Sequence, residues 1–241
     1  VKSQPKTIWV PTNYPTIQEA INAANPGDTI FVNNGTYYEH VVVNKTVSIE
    51  GENRKTTFIS GNGSGTVVSV TADNVTITEF TIQDSGGTAY NGGIKAASKG
   101  NTFRHNVIMN NSRGMYLSSS SNFISDNVIA NNTYGLLLDS ASDNRLTSNT
   151  IKNNSLSIYS VDSDANKIYY NSFVNNTVQS PFYESLGKVD TWDNGYPYGG
   201  NYWSDYNGSD LFKGHYQNET GGDGIGAVSY THLRAHETGR N

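Results

Sequence analysis

Apolar residues recur through the middle of this chain in a pattern that suits short strands. Pairs five positions apart appear four times: Phe103 and Ile108, Ile124 and Ile129, Leu146 and Ile151, Ile168 and Phe173. The first three pairs are each followed by a short apolar run, first Met115-Tyr116-Leu117, then Leu136-Leu137-Leu138, then Ile158 to Val161. This is strand spacing, not the 3.6-residue period of a helix. Asparagine frames every block as Asn-x-apolar-x-x-Asn-x-apolar-x-Asn-Asn-(Ser/Thr), over Asn101–Ser112, Asn122–Thr133, Asn144–Ser155 and Asn166–Thr177. The leading asparagines are 21, 22 and 22 residues apart. A fixed period of that length marks a solenoid. A leucine-rich repeat has a similar period, but its leucine scaffold and helix-forming convex segment are missing.

The pattern therefore predicts an all-β parallel β-helix whose coils each hold two or three strands of three to five residues. Coils stacked at about 4.8 Å turn equivalent residues into columns. A column of asparagines, as at Asn106, Asn127, Asn149 and Asn171, can then pass side-chain amide hydrogen bonds from coil to coil. The paired Asn110-Asn111, Asn131-Asn132, Asn153-Asn154 and Asn175-Asn176 suit corners, because Asn tolerates left-handed backbone. One coil cannot bury its own apolar face, so the stack is the folding unit.

Upstream, Thr46–Ile49, Thr57–Ile59, Val67–Val70 and Asn74–Ile82 alternate with period two and read as longer coils. Residues 86–100, rich in Gly, Ser and Ala, are expected to bulge out as a loop. Thr16-Ile17-Gln18-Glu19 is a capping box that opens a short helix to Ala24, stopped by Pro26-Gly27. Ile17, Ala20, Ile21 and Ala24 give that helix one apolar face, which suits a plug on the open N-terminal end. The expected organisation is an N-terminal strand and capping helix over 1–27, coils over 28–180, an aromatic cap over 181–226, and a separate tail over 227–241.

Composition narrows the partners. Of 241 residues only 15% are charged, and the formal net charge is −5. Nucleic acid and anionic membranes want a basic face, so neither is an expected partner. No window reaches the apolar length of a transmembrane helix. With no cysteine there is neither a disulfide framework nor a thiolate metal site. The stretch 228–241 breaks with everything before it and resembles translated read-through of a sequencing adapter. His232, His236 and Glu237 imitate a helical metal pair there, and the stretch is set aside for that reason.

Several segments together resemble a known family. Tyr14-Pro-Thr-Ile-Gln-Glu-Ala-Ile21, Gly27-Asp-Thr-Ile30, Gly35-Thr-Tyr-Tyr-Glu39 and Val47-Ser-Ile-Glu-Gly51 are similar to the opening of pectin-lyase-like β-helices. The Asn-framed coils resemble the NosD-type β-helix, a carbohydrate-binding and sugar-hydrolase repeat of microbial surface proteins. Gly199-Gly-Asn-Tyr-Trp-Ser-Asp-Tyr-Asn-Gly-Ser-Asp210 and Gly222-Asp-Gly-Ile-Gly226 resemble the end segment of such proteins. The resemblance implies a right-handed helix and a secreted or cell-surface setting, or a periplasmic one if the NosD likeness governs.

The same resemblance implies chemistries that the residues do not complete. Pectin methylesterases share Gly35-x-Tyr37-x-Glu39, but their Gln-Ala-Val, Asp-Phe and Arg-before-Pro-Trp segments have no match. Polygalacturonase-type hydrolysis needs paired carboxylates across the scissile bond. Asp126 and Asp139 stand at different offsets, and no Asp-Asp pair exists. Lyase chemistry needs a basic residue near calcium-binding acids, whereas Arg104, Arg113 and Arg145 occupy three columns. His105, Asp126 and Ser148 share one offset, but a triad needs histidine between serine and acid, and here aspartate is in the middle. NosD relatives are linked to copper delivery, and copper prefers His, Met or Cys. His40, His105, His215, Met109 and Met115 form no evident cluster, so copper is not expected.

Binding remains the leading expectation. Arg104, His105, Asp126, Tyr169 and Tyr170 fall on outward offsets, and Tyr116 and Tyr159 share another. Aromatic faces with polar neighbours suit sugar rings, although tyrosine is also simply a good exposed β residue. Trp192 and Trp203 join the sugar-binding candidates, with capping of the last coil as their alternative role. Asp205, Asn207 and Asp210 begin like a calcium loop but lack its glycine and glutamate, leaving a calcium clip on the cap as the one cofactor candidate. The expected protein is a non-catalytic carbohydrate-binding or structural module, monomeric within a larger surface protein, with a polysaccharide or cell-surface glycan as partner. A polysaccharide hydrolase or lyase, and a periplasmic copper-binding accessory protein, are the alternatives.

Overall fold

Three short strands per coil, each ending at a corner, generate three parallel sheets that wrap around one core. The computed structural model describes residues 4–88, 90–179, 181–183, 190–195, 199–205, 212–213 and 219–221. It is a right-handed parallel β-helix of about 8 turns with one short helix. The first sheet has eight strands, from Thr7–Val10 to Lys167–Tyr169. The second also has eight, from Gly35–Tyr38 to Tyr202–Trp203, and the third has seven, from Val41–Val43 to Phe182–Tyr183. Every rung-to-rung pairing in these sheets is parallel, and Phe212–Lys213 with Glu219–Thr220 is an antiparallel pair outside them.

The core is three interior columns. Ile77, Phe103, Ile124, Leu146 and Ile168 stack in the first sheet. Ile82, Ile108, Ile129, Ile151, Phe173 and Trp203 stack in the second. Val68, Ile94, Met115, Leu136 and Ile158 stack in the third. All are buried. The fivefold spacing read from the sequence is thus the step from a core residue of the first sheet, across one corner, to its partner in the second. Gly114, in the strand Arg113–Leu117, shows how closely the coils approach at the start of the third sheet: a Cβ there would meet the Gly135 carbonyl oxygen at 2.6 Å.

At each corner runs a ladder of buried asparagines. Asn101, Asn122, Asn144 and Asn166 form one, Asn106, Asn127, Asn149 and Asn171 the second, and Asn111, Asn132, Asn154 and Asn176 the third. In each step the Oδ1 of the later residue accepts the backbone amide of its counterpart one coil earlier, and in every step but Asn111 to Asn132 it accepts the Nδ2 as well, as at Asn127 Oδ1 with Asn106 (2.9 and 3.2 Å). Nδ2 also reaches a carbonyl of the earlier coil, as from Asn127 to Phe103 at 2.8 Å. A group that accepts two donors closes each ladder: Asp190, Asn201 and Gln179. Such satisfaction is what makes buried amides tolerable. The residue before each ladder position is left-handed, including Asn110, Asn131, Asn153 and Asn175. Of each Asn-Asn pair, then, the first makes the turn and the second joins a ladder.

Helix α1 (Ile17–Ala23) buries Ile17, Ala20 and Ile21 against the first coil. Thr16 caps it by accepting the Glu19 amide at 3.1 Å. Glu39 then takes the amides of Ile17 and Gln18, both at 3.0 Å, where they would otherwise be unpaired at a helix start. The motif Gly35-x-Tyr37-x-Glu39 therefore ties the plug to the second sheet. Asp28 has a similar duty, accepting the Lys6 and Asn25 amides at 2.9 Å each.

Two expectations need correction. Residues 86–100 are not all loop, because Ile94–Ala96 is a rung of the third sheet that pairs with Val68–Val70 and Met115–Leu117. Its small residues fit because Gly93 lies against the Gly114 carbonyl (2.9 Å from an added Cβ), where any side chain would collide. The coils also begin at Thr7 and run past 180, since Phe182–Tyr183 and Tyr202–Trp203 are rungs of the same sheets. The tail over 227–241 lies outside the described residues.

Two predictions follow the ladders and the cap. Replacing Asn127 by Ala removes the acceptor of the Asn106 backbone amide, one of two acceptors of Asn106 Nδ2 and one of two donors to Asn149 Oδ1, and should cost roughly 2 kcal/mol in chemical denaturation, within the range for a buried unsatisfied group. For Asp28, backbone hydrogen bonds from Asn25 and then Lys6 hold the carboxyl below its ordinary value. Its contribution is therefore present above the unfolded-state pKa of about 3.9 and is lost as pH falls through the lower folded value. The Tm difference between wild type and Asp28→Asn should shrink across that acidic window.

Candidate functional site

The corner between the first and second sheets carries a row of side chains unlike those at the other corners. Its left-handed positions are Glu79, His105, Asp126, Ser148 and Tyr170, with φ between 53° and 65°. The corner between the second and third sheets uses Asp84, Asn110, Asn131, Asn153 and Asn175 at the same step, all residues suited to that backbone. A glutamate, a histidine and a tyrosine in left-handed backbone each carry a strain that asparagine or glycine would relieve. Such strain concentrates where side-chain chemistry matters more than stability.

The row is ordered along the helix axis. His105 Nδ1 lies 3.3 Å from Glu79 Oε1, and its Nε2 lies 4.0 Å from Asp126 Oδ2. These side chains are about a third to a half exposed, at 32%, 46% and 47% for Glu79, His105 and Asp126. Arg104 is exposed beside them. Arg54 arches in from the turn after Gly51, where Thr81 Oγ1 holds its carbonyl at 2.6 Å, and its Nη1 donates to the Asp126 carbonyl at 3.2 Å. Chemically this is a track of alternating acceptors and donors, bordered by two guanidinium groups. It does not assemble a serine triad, because Ser148 stands on the far side of Asp126 from His105, in the order read from the sequence.

The aromatic candidates separate. Tyr170 is 39% exposed and ends the row, its ring edge-on to Tyr169 at 5.2 Å. Tyr169 is buried beneath Arg145, 5.4 Å above its ring, so its face is covered and cannot receive a sugar. Trp192 and Trp203 are buried as well, Trp203 stacked on Phe173 at 4.1 Å and 9°. They extend the core column and close the end of the stack, which corrects their reading as sugar platforms. On the third sheet Tyr116 and Tyr159 do share a column with Leu137 between them.

Metal candidates are dispersed. Met115 is core, and both His40 nitrogens are engaged, with the Thr66 carbonyl at 2.9 Å and Ser64 Oγ at 3.1 Å. Among the described residues no group of three or more His, Cys, Asp and Glu is arranged to hold a metal ion. Asp205 is exposed near the end of the solenoid, whereas Asn207, Asp210 and His215 lie outside the described residues.

Sequence reasoning missed Glu79 and Arg54. Glu79 precedes His105 by one coil of 26 residues rather than 21 or 22, so the regular period does not reveal it. The available signal was Phe80, which occupies the ladder position directly after Glu79. Arg54 reaches across 72 residues of sequence, and nothing local announces that contact.

The family described as periplasmic copper-binding protein (NosD) matches residues 7–208 by its sequence profile. No curated protein matches the chain. Among solved structures, a pectin methylesterase from the rice weevil aligns with a TM-score of 0.54 and 17% identity, over 80% of this chain and 70% of that one. A carrot pectin methylesterase aligns at 0.42 and 16% identity, over 85% and 84%. An alginate lyase from Paenibacillus sp. str. FPU-7 aligns at 0.40 and 13% identity, over 77% and 98%. At such identities the rice weevil enzyme shares the fold alone.

If the row is kept for its side chains, relieving its strain should stabilise the fold. His105→Asn should raise stability by about 1 kcal/mol, the cost of left-handed backbone less a weak exposed ion pair. Thermal denaturation of the variant beside wild type measures this.

Proposed function

This chain belongs to the NosD family, and from that premise we propose that it is a non-catalytic carbohydrate-binding module that holds a polysaccharide along the Glu79–Tyr170 row. The row itself carries the reading. It places one polar or aromatic side chain per coil, about 4.8 Å apart, on a rigid track that runs along the solenoid. Solenoid faces of this kind suit extended polymers. Tyr170 offers the ring edge and partial face on which a sugar can rest, while Glu79, His105, Asp126 and Arg104 supply hydrogen bonds to hydroxyls. The rice weevil relative in fold is named as a pectin methylesterase, which is in keeping with a glycan ligand on this architecture. The family description is in keeping with an exported, periplasmic or surface setting.

Two rival readings are exposed to the same experiments. A hydrolase would use Glu79 and Asp126, which flank His105 from opposite sides. A copper protein would use His105 with those carboxylates. Isothermal titration against a panel of neutral and acidic oligosaccharides, combined with product analysis, separates the three.

Binding without product release is the expected result. His105→Ala and Tyr170→Ala should each weaken it by roughly five- to tenfold, equivalent to about 1 to 1.4 kcal/mol. Release of shorter oligosaccharides that is abolished in Asp126→Ala would replace this reading with the hydrolase. Sub-micromolar copper binding that is lost in His105→Ala would replace it with the metal reading.

A further inference from the structure

At the N-terminal end the first sheet stops at the strand Thr7–Val10, which among the described residues has a neighbouring strand on one side only. Its alternating burial turns Ile8 and Val10 inward and Thr7 and Trp9 outward. Asn13 fixes Trp9 at that edge: its Oδ1 accepts the Trp9 amide at 2.7 Å, and its own amide donates to the Trp9 carbonyl at 2.7 Å. Trp9 is 44% exposed, whereas the other two tryptophans, Trp192 and Trp203, are buried. Phe31 of the next coil supports the indole from one side, at 4.7 Å and 50°. Among the described residues no cation lies over that indole, unlike the rings of Tyr116, Tyr134 and Tyr169. Along the same edge lies a hollow of about 400 Å³, lined by Lys6, Thr7, Ile8, Asn13 and Tyr14. Among the described residues Lys6 has no ion pair and Asn13 Nδ2 no hydrogen bond. An open aromatic ring beside a hollow with unused donors is the make-up of a sugar site.

We propose that Trp9 and this hollow form a second sugar subsite, which takes a neutral pyranose chain. One sugar ring lays its C–H face on the indole, and the next enters the hollow. There Asn13 Nδ2, the Lys6 ammonium and the Thr7 hydroxyl donate to its ring and hydroxyl oxygens. The Asn13 clasp and the Phe31 support hold the platform in place before any ligand arrives, which lowers the ordering cost of binding. Trp9, Phe31, Glu50, Thr78 and Arg104 share one column of the first sheet, four rungs and about 19 Å from end to end. Arg104 borders the corner row, so the subsite lies on the side of the solenoid that carries the row. The inference takes its class of ligand from the glycan reading but depends on none of the row's side chains.

Trp9 supplies the readout, because acrylamide quenches an exposed indole and hardly reaches two buried ones. The probes, used with the whole chain, are a β-1,4-linked glucotriose, too short to reach the row from Trp9, and triethylene glycol, which has no ring. Glucotriose should protect the tryptophan fluorescence from acrylamide, and triethylene glycol should not. Asn13→Asp keeps an oxygen for the Trp9 amide and loses the Nδ2 donor. In that variant and in Lys6→Gln, the glucotriose concentration for half protection should rise roughly fivefold, the scale of one lost hydrogen bond. His105→Ala should leave it unchanged. Equal quenching with and without glucotriose, or equal protection by triethylene glycol, overturns the proposal. So does a half-protection concentration that neither Asn13→Asp nor Lys6→Gln moves, or one that His105→Ala raises as much as they do. The corner row is read separately, by the calorimetry of His105→Ala and Tyr170→Ala, so either reading can fail while the other stands.

Discussion

The buried amide is the constraint on which this molecule depends. Each of the four Asn-framed coils places three primary amides inside the protein, where every unpaired donor or acceptor would cost roughly 1 to 3 kcal/mol. One arrangement satisfies them repeatedly: identical residues one coil apart, with Oδ1 of the later residue receiving both donors of the earlier one. That requirement fixes the register of successive coils. A slip of one residue would turn the apolar columns outward and break all three ladders together.

The ladders also explain where freedom remains. In the four regular coils the inward positions are almost all Ile, Leu, Val and Phe, and the ladder positions are Asn, so a change at either carries a loss. The left-handed residue ahead of each ladder position points outward and answers only to its own backbone strain. At one corner the chain accepts the least strain with asparagine and aspartate. At another it carries Glu79, His105, Asp126, Ser148 and Tyr170. A side-chain track thus costs the fold a little at each coil without disturbing the core beneath it. The third sheet shows a different exception, an arginine held under a loop with an idle donor. Both departures lie outside the ladders.

The family resemblance in the opening segment proves to be largely mechanical. Glu39 caps the helix and Asp28 ties down the first strand, so these residues keep the N-terminal plug seated. Such roles would be needed in any β-helix with this opening, whatever chemistry it performs. Fold and activity separate here because the shared residues serve the scaffold.

The sequence by itself determined the period, the core columns, the ladder at Asn106, Asn127, Asn149 and Asn171, the helix and its cap. Those features repeat locally, and a strict period of 21 or 22 residues converts offset into position without further information. It also placed His105, Asp126 and Ser148 in one column and in the right order. Only the tertiary structure brought Glu79 and Arg54 to that column, because one arrives through a coil of irregular length and the other through a long turn. It alone decided exposure as well: Tyr169, Trp192 and Trp203 share the composition of a sugar platform, yet Arg145 and the end of the core cover them. A column is fixed by counting along the chain, whereas burial depends on what neighbouring coils lay over it.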